Sequence, residues 1–200
     1  AGDNSANLSS DDAVNFNAYK FPKTKSVVIS RPKTISLSKT SYIYNGKVQK
    51  PNVTIKDANG KTIAASNYTV TYAKGLKNVG SYTVTVTFKG NYSGTKKLTY
   101  RINPKATALS KVTSPKSKQL KVTWKKQATQ TTGYEIQYST SSKFTKKTTK
   151  TVKVKSGKSS VTIKKLKKKK RYYVKIRTYV KFNGTKINSK WSKAKSQKTK

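Results

Sequence analysis

Residues 82–88 read Tyr-Thr-Val-Thr-Val-Thr-Phe, so Tyr82, Val84, Val86 and Phe88 alternate with Thr83, Thr85 and Thr87. Successive side chains of a strand point to opposite faces, which gives this segment one wholly apolar face and one threonine face. A helix would scatter the same residues around its circumference. The alternation recurs at Tyr68, Val70 and Tyr72, at Leu98, Tyr100 and Ile102, and at Tyr172, Val174 and Ile176. Nowhere does a helical period run long enough to compete. An apolar strand face must be covered, and two sheets packed face to face cover it where one open sheet would leave it wet. The expected fold class is therefore all-β, with two tandem β-sandwich domains after a flexible N-terminal segment.

Punctuation along the chain divides it. Residues 1–25 are rich in Ser, Asn, Asp and Ala without sustained periodicity and read as linker. Val27 and Ile29 could begin a strand that Pro32 soon interrupts. Tyr42 and Tyr44 lead to the turn pair Asn45-Gly46, Val53 and Ile55 follow Pro51, and Asn59-Gly60 precedes Lys61, so both Asn-Gly pairs predict hairpins. Pro104 closes the last of these strands, and the composition shifts after it. The expected organisation is a flexible segment over 1–25, one sandwich over 26–104 and a second over 105–200.

That compositional shift is a shift in charge. The chain carries 46 Lys plus Arg against 5 Asp plus Glu, a net charge of +41. Residues 105–200 hold 30 of the basic side chains and one acid, Glu135, a net of +29. Such a module repels itself and attracts polyanions, and a monomer is expected. Its densest stretch is Lys164, Lys165, Lys167, Lys168, Lys169, Lys170 and Arg171 around a single Leu166, immediately before the strand at Tyr172. Strand parity adds Lys153, Lys155, Lys175 and Arg177 on the outward side of that module. These eleven residues are the candidate polyanion site, acting by counterion release without reading sugar or base identity. Tyr173 and Tyr179 share the outward parity and are candidate surface aromatics beside the cations.

Much chemistry is excluded. The chain has no Cys, Met or His, which removes the common zinc, haem and thiolate sites, and no cofactor is expected. General acid–base work needs a histidine or two positioned carboxylates, and the only adjacent acids, Asp11 and Asp12, lie in the expected linker. The chain is not expected to be an enzyme. No apolar run reaches the length of a membrane span, and no recognition helix or RNA-binding strand signature is present. Sequence-specific nucleic acid is therefore not an expected partner.

Two resemblances add to this reading. The phrases YIYNGKVQKPNVTIKDANGKTI, SNYTVTYAKGLKNVGSYTVTV and FKGNYSGTKKLTYRI, over residues 35–102, resemble the immunoglobulin-like repeats of large secreted or wall-linked proteins of Gram-positive gut bacteria. The resemblance implies a spacer module without catalytic residues. Residues 105–200 resemble the fibronectin type III module: LKVTW at 120–124, GYEIQYS at 133–139, Val161 and Ile163, then Leu166 and Tyr172 as its tyrosine corner, with Val174 and Ile176 in the next strand and Trp191-Ser192 opening the last. Many family members place Pro-Gly within that corner. Lysine and arginine stand there instead, which implies a looser corner. No Arg-Gly-Asp occurs. Some Gram-positive surface domains cross-link a lysine to an asparagine beside a buried acid, but Glu135 and Asp57 both read as exposed. Glu135 is expected to pair across strands with Lys175 or Arg177, and Trp191 to stack on Arg177.

The function these features imply is a non-catalytic binding and spacer segment, secreted or on a bacterial cell surface, touching anionic glycans or wall polymers. Two further classes stay open. One is a released, diffusible fragment acting on a host cell-surface receptor; the other is an accessory binding module of a larger extracellular enzyme.

Overall fold

The structure is a computed structural model that describes residues 32–200. The expected linker and the strand expected at Val27 and Ile29 lie outside those residues. The fold is all-β, and the only helical element among the described residues is a 3-10 turn at Ala65–Asn67.

Six strands make the first module: β1 (Thr34–Leu37), β2 (Ser41–Ile43), β3 (Val53–Lys56), β4 (Tyr68–Tyr72), β5 (Gly80–Phe88) and β6 (Thr95–Asn103). They form a four-stranded sheet in the order β2-β6-β5-β4 and a two-stranded sheet β1-β3. The alternation at 82–88 works as expected, since Tyr82, Val84, Val86 and Phe88 are buried while Thr83 and Thr87 are exposed. Their apolar face meets Ile55 and Ile63 at one end and Tyr100 and Ile102 at the other.

Asn45-Gly46 does not build the hairpin that the sequence predicts, whereas Asn59-Gly60 does, as a short one. β2 pairs parallel with β6, and β3 pairs antiparallel with β1. Asn45-Gly46 does turn the chain, with Asn45 Oδ1 accepting the Lys47 N–H at 2.9 Å and Gly46 at φ 78°. Beyond it, however, tyrosine hydroxyls satisfy the backbone. Tyr100 Oη donates to the Gln49 carbonyl at 2.8 Å and Tyr72 Oη to the Pro51 carbonyl at 2.6 Å. Carbonyls satisfied this way need no neighbouring strand, so the segment crosses between sheets as a loop. At the second pair, Asp57 Oδ1 accepts the N–H groups of Asn59 and Lys61, and the short hairpin closes through the Asp57 N–H to the Lys61 carbonyl at 2.9 Å, the antiparallel bridge between Lys56 and Thr62, and the Ile63 N–H to the Ile55 carbonyl at 2.9 Å.

The second module holds β7 (Leu109–Thr113), β8 (Leu120–Trp124), β9 (Gly133–Ser139), β10 (Thr149–Lys155), β11 (Ser160–Ile163), β12 (Arg171–Phe182), β13 (Thr185–Asn188) and β14 (Lys195–Lys198). One sheet runs β11-β8-β7. The other runs β10-β9-β12-β13, with β14 also paired to β12. Trp191 and Ser192 do not open the last strand: they sit in the connection between β13 and β14. Between the sheets lies one core that includes Leu120, Val122, Trp124, Tyr134, Ile136, Tyr172, Val174 and Ile176, with half-buried Tyr138 at its rim. It shares no residue with the clusters of the first module.

Fully burying one such side chain contributes about 1.5–3 kcal/mol. Because the cores are separate, Ile136→Ala is expected to destabilise one calorimetric unfolding transition by about 2–5 kcal/mol and to leave a second transition in place. A single transition that moves as a whole would show that the two modules unfold together.

Candidate functional site

The long β12 places the candidate residues. Its alternation sends Tyr172, Val174 and Ile176 into the core and Lys175 and Arg177 to the outer side of the sheet. That outer side is not open. Phe144 and Trp191 lie over it, with Lys175 Nζ 4.1 Å from the Phe144 ring centroid and 4.9 Å from that of Trp191, and the Arg177 guanidinium carbon 4.4 Å from the Trp191 centroid. Trp191 thus stacks on Arg177 as expected, and it covers Lys175 as well. Burial and the neighbouring Arg177 charge push the Lys175 ammonium below its ordinary value.

Glu135, read from sequence as exposed, is buried, with only 4% of its side chain accessible. Arg177 stands directly opposite it across the strands. The guanidinium donates twice to Oε2, from Nε at 2.9 Å and from Nη2 at 2.6 Å, while Lys186 Nζ donates to Oε1. Parity did place Glu135 outward. It becomes buried because Arg177, Lys186 and the aromatic layer form a second tier above the sheet. Burial alone would raise its carboxyl pKa, but the hydrogen bonds and charges of Lys186 and Arg177 outweigh that and hold it below the usual carboxylate range. Burial removes the exposure argument against a lysine–asparagine cross-link. Even so, both carboxylate oxygens are already engaged by cations, and no asparagine is among their hydrogen-bond partners.

Tyr179 is likewise buried rather than a surface contact, at 9% exposure. Its cross-strand neighbour is Gly133, which lets the ring lie flat against the sheet. A Cβ on Gly133 would come within 2.9 Å of Tyr179 Oη and 2.5 Å of the Val154 carbonyl oxygen. Tyr173 is half-buried opposite Ser139 and Ser196. Lys153 and Lys155 are exposed on β10.

The lysine run forms the corner between β11 and β12. Leu166 is buried there and anchors it, its N–H donating to the Lys118 carbonyl at 3.0 Å. Tyr172 Oη accepts the Lys167 N–H at 3.1 Å, so the corner is closed without Pro-Gly. Lys165 and Lys169 adopt φ of 59° and 50°, the left-handed conformation that glycine would take more easily. Thr199, itself buried, fastens the far side: its Oγ1 donates to the Lys167 carbonyl at 2.6 Å and accepts the Lys170 N–H at 3.0 Å. The looser corner is therefore not observed. All seven cationic side chains of the run are exposed.

Residues 105–195 match the family model of the fibronectin type III domain. This stretch, a little under half of the chain, is a fibronectin type III domain. Several solved structures are similar to the chain. A two-domain fibronectin type III segment from chicken tenascin is 18% identical with a TM-score of 0.49, covering 84% of this chain and 99% of that one. The FN1–FN3 domains of chicken CNTN1 are 17% identical with a TM-score of 0.42, covering 84% and 67%. The fn3 domain of human collagen alpha-1(XX) chain is 20% identical with a TM-score of 0.39, covering 48% and 84%. No curated protein matches the chain.

Within the fibronectin type III domain the eleven candidate cations thus fall into different settings. The corner run, Lys153 and Lys155 face solvent, whereas Lys175 and Arg177 are half-buried and held by aromatic rings and Glu135. Lys186 was absent from the sequence reading. The signal was available, because the Asn183-Gly184 turn sets Lys186 opposite Lys181, on the face of Arg177.

Glu135→Gln removes the one anion between two cations, and breaking a buried pair on one side costs about 3–5 kcal/mol. Lys186 can swing into water, so a loss near the lower end, about 3 kcal/mol, is expected. A carboxyl with a depressed folded pKa stabilises the fold above its unfolded value of 4.5, and this is lost as pH falls through the folded value. The glutamine variant should therefore lose least, relative to the parent, in acid. Urea midpoints at pH 7 and pH 3 check this, and an equal deficit at both would contradict it.

Proposed function

We propose that this chain is a non-catalytic binding and spacer segment of a secreted or surface-attached bacterial protein, whose fibronectin type III domain holds anionic glycans or wall polymers. The observation that carries the reading is the fate of the single acid. Thirty basic side chains share this half of the chain with Glu135 alone, and Glu135 is already consumed by Arg177 and Lys186. The exposed lysines of the corner have no ion-pair partner among the described residues. With 46 basic side chains against 5 acids in the chain, most of the counter-charge must come from solution, and a polymeric anion displaces many small counterions at once with a gain in entropy.

The fold class fits a role without chemistry, since a fibronectin type III domain is typically non-catalytic, and among the described residues no group of three acidic, His or Cys side chains could hold a metal ion. No helix among the described residues is long and apolar enough to cross a membrane. The spacer role of the first module and the bacterial surface setting rest on the resemblance over residues 35–102. In that module the hydroxyls of Tyr72 and Tyr100 brace the loop that crosses between the sheets.

Binding of the intact chain to immobilised heparin and to intact cells, across a salt series, tests the reading. The logarithm of affinity is expected to fall linearly with the logarithm of salt, and replacing Lys168 and Lys170 with serine should lower the slope by about two. A saturable component on cells that survives high salt would overturn it in favour of a folded face reading a specific receptor.

A further inference from the structure

The corner run is one wall of a cleft of about 570 Å³. Lys164, Lys165 and Lys167 line that wall, and Lys147 and Lys150, from the connection before β10 and from β10 itself, line the other. Five lysines line one concavity with no carboxylate in its lining. Its volume lies within the range of ordinary ligand clefts, about 300–1,000 Å³.

Tyr138 and Tyr172 supply the apolar part of the lining, with ring centroids 6.3 Å apart. Tyr172 Oη is engaged by the corner, whereas Tyr138 is half-buried and its hydroxyl has no hydrogen-bond partner among the described residues. Burial, and next to it Tyr172, raises the Tyr138 phenol, so it keeps its proton and remains a donor. A tyrosine presenting both ring and hydroxyl suits a ligand with an apolar ring face and polar edges.

Both walls are held before any ligand arrives. On one side Thr148 Oγ1 bonds Ser139 Oγ at 2.7 Å and Thr145 Oγ1 at 2.8 Å, and Thr149 Oγ1 donates to the Thr145 carbonyl at 2.8 Å. On the other, Tyr172 and Thr199 pin the backbone of Lys167 and Lys170. A fixed cleft loses less conformational entropy on binding than a loose lysine loop, so it favours a ligand that fits over charge alone.

We infer that this cleft seats one sulfate- or phosphate-bearing sugar unit of an anionic glycan, its oxyanion between the two lysine walls and its ring against Tyr138. The inference rests on the polyanion reading and locates it at a built site rather than along the whole basic surface. It also assigns to Lys147 and Lys150, outside the corner run, a share of the affinity equal to that of the corner lysines.

The test compares two charge-matched variants of the full chain. Lys147→Ser/Lys150→Ser removes two cations from the cleft, and Lys111→Ser/Lys121→Ser removes two exposed cations from β7 and β8 of the opposite sheet. The probes are a heparin-derived tetrasaccharide, which carries sulfate, and a tetrasaccharide of mannose 6-phosphate units, which carries phosphate. The cleft variant should weaken the better probe about tenfold, and the control less than about twofold. Independently of any substitution, that probe should shift the backbone amide resonances of Thr140, Thr148 and Leu166 in the parent chain. The better probe identifies the oxyanion. Equal losses in the two variants, or amide shifts spread over the opposite sheet, would overturn the cleft while leaving the polyanion reading intact. Failure of full-length heparin to bind the parent chain would overturn both.

Discussion

A single carboxylate, Glu135, sits beneath a layer of positive charge and takes hydrogen bonds from Arg177 on the adjacent strand and Lys186 on the hairpin beyond it. In a half-chain with thirty basic side chains this is the only anion the fold can use. Its position in the middle of the β9–β12–β13 face determines what the surrounding cations can do. With Arg177 held flat by the carboxylate, Trp191 can lie over its guanidinium and over Lys175, and Phe144 also covers the Lys175 ammonium. Charges that would otherwise repel one another across the sheet become part of a packed second tier.

The consequence is a division of labour among the lysines. Those of the inner tier are committed to the fold, and those of the corner and the rim are left to solvent. The corner lysines are nonetheless anchored through their backbone, by Leu166 packing, the Tyr172 hydroxyl and the Thr199 side chain. A positively charged segment held in one shape can bind with geometry as well as charge, which is why the fold bears on the proposed function at all.

Much of this was legible in the alternation of residues. The period of two identified the inward sets on β5, β6 and β12, because burial imposes that period directly. Strand pairing was less legible: Asn45-Gly46 carries hairpin chemistry, yet the tyrosines that brace the next segment are distant in sequence, and no local pattern announces them. Parity also told which side Glu135 and Tyr179 face, but not that the side is covered. Whether an outward residue is exposed depends on what lies above it, here Trp191, Lys186 and the bare Gly133, and three separate segments supply those. The cleft was hidden for the same reason, since Lys147 and Lys150 meet the corner run only after β10 folds beside β9.

The central claim is that the fibronectin type III domain, and within it the corner and the facing connection, is where a polyanion is held. Hydrogen–deuterium exchange of the full chain with and without a saturating sulfated polymer tests this most directly. The account predicts added protection confined to residues 145–150 and 164–171, with the first module unchanged. Protection falling on residues 32–103, or none anywhere at low salt, would contradict it.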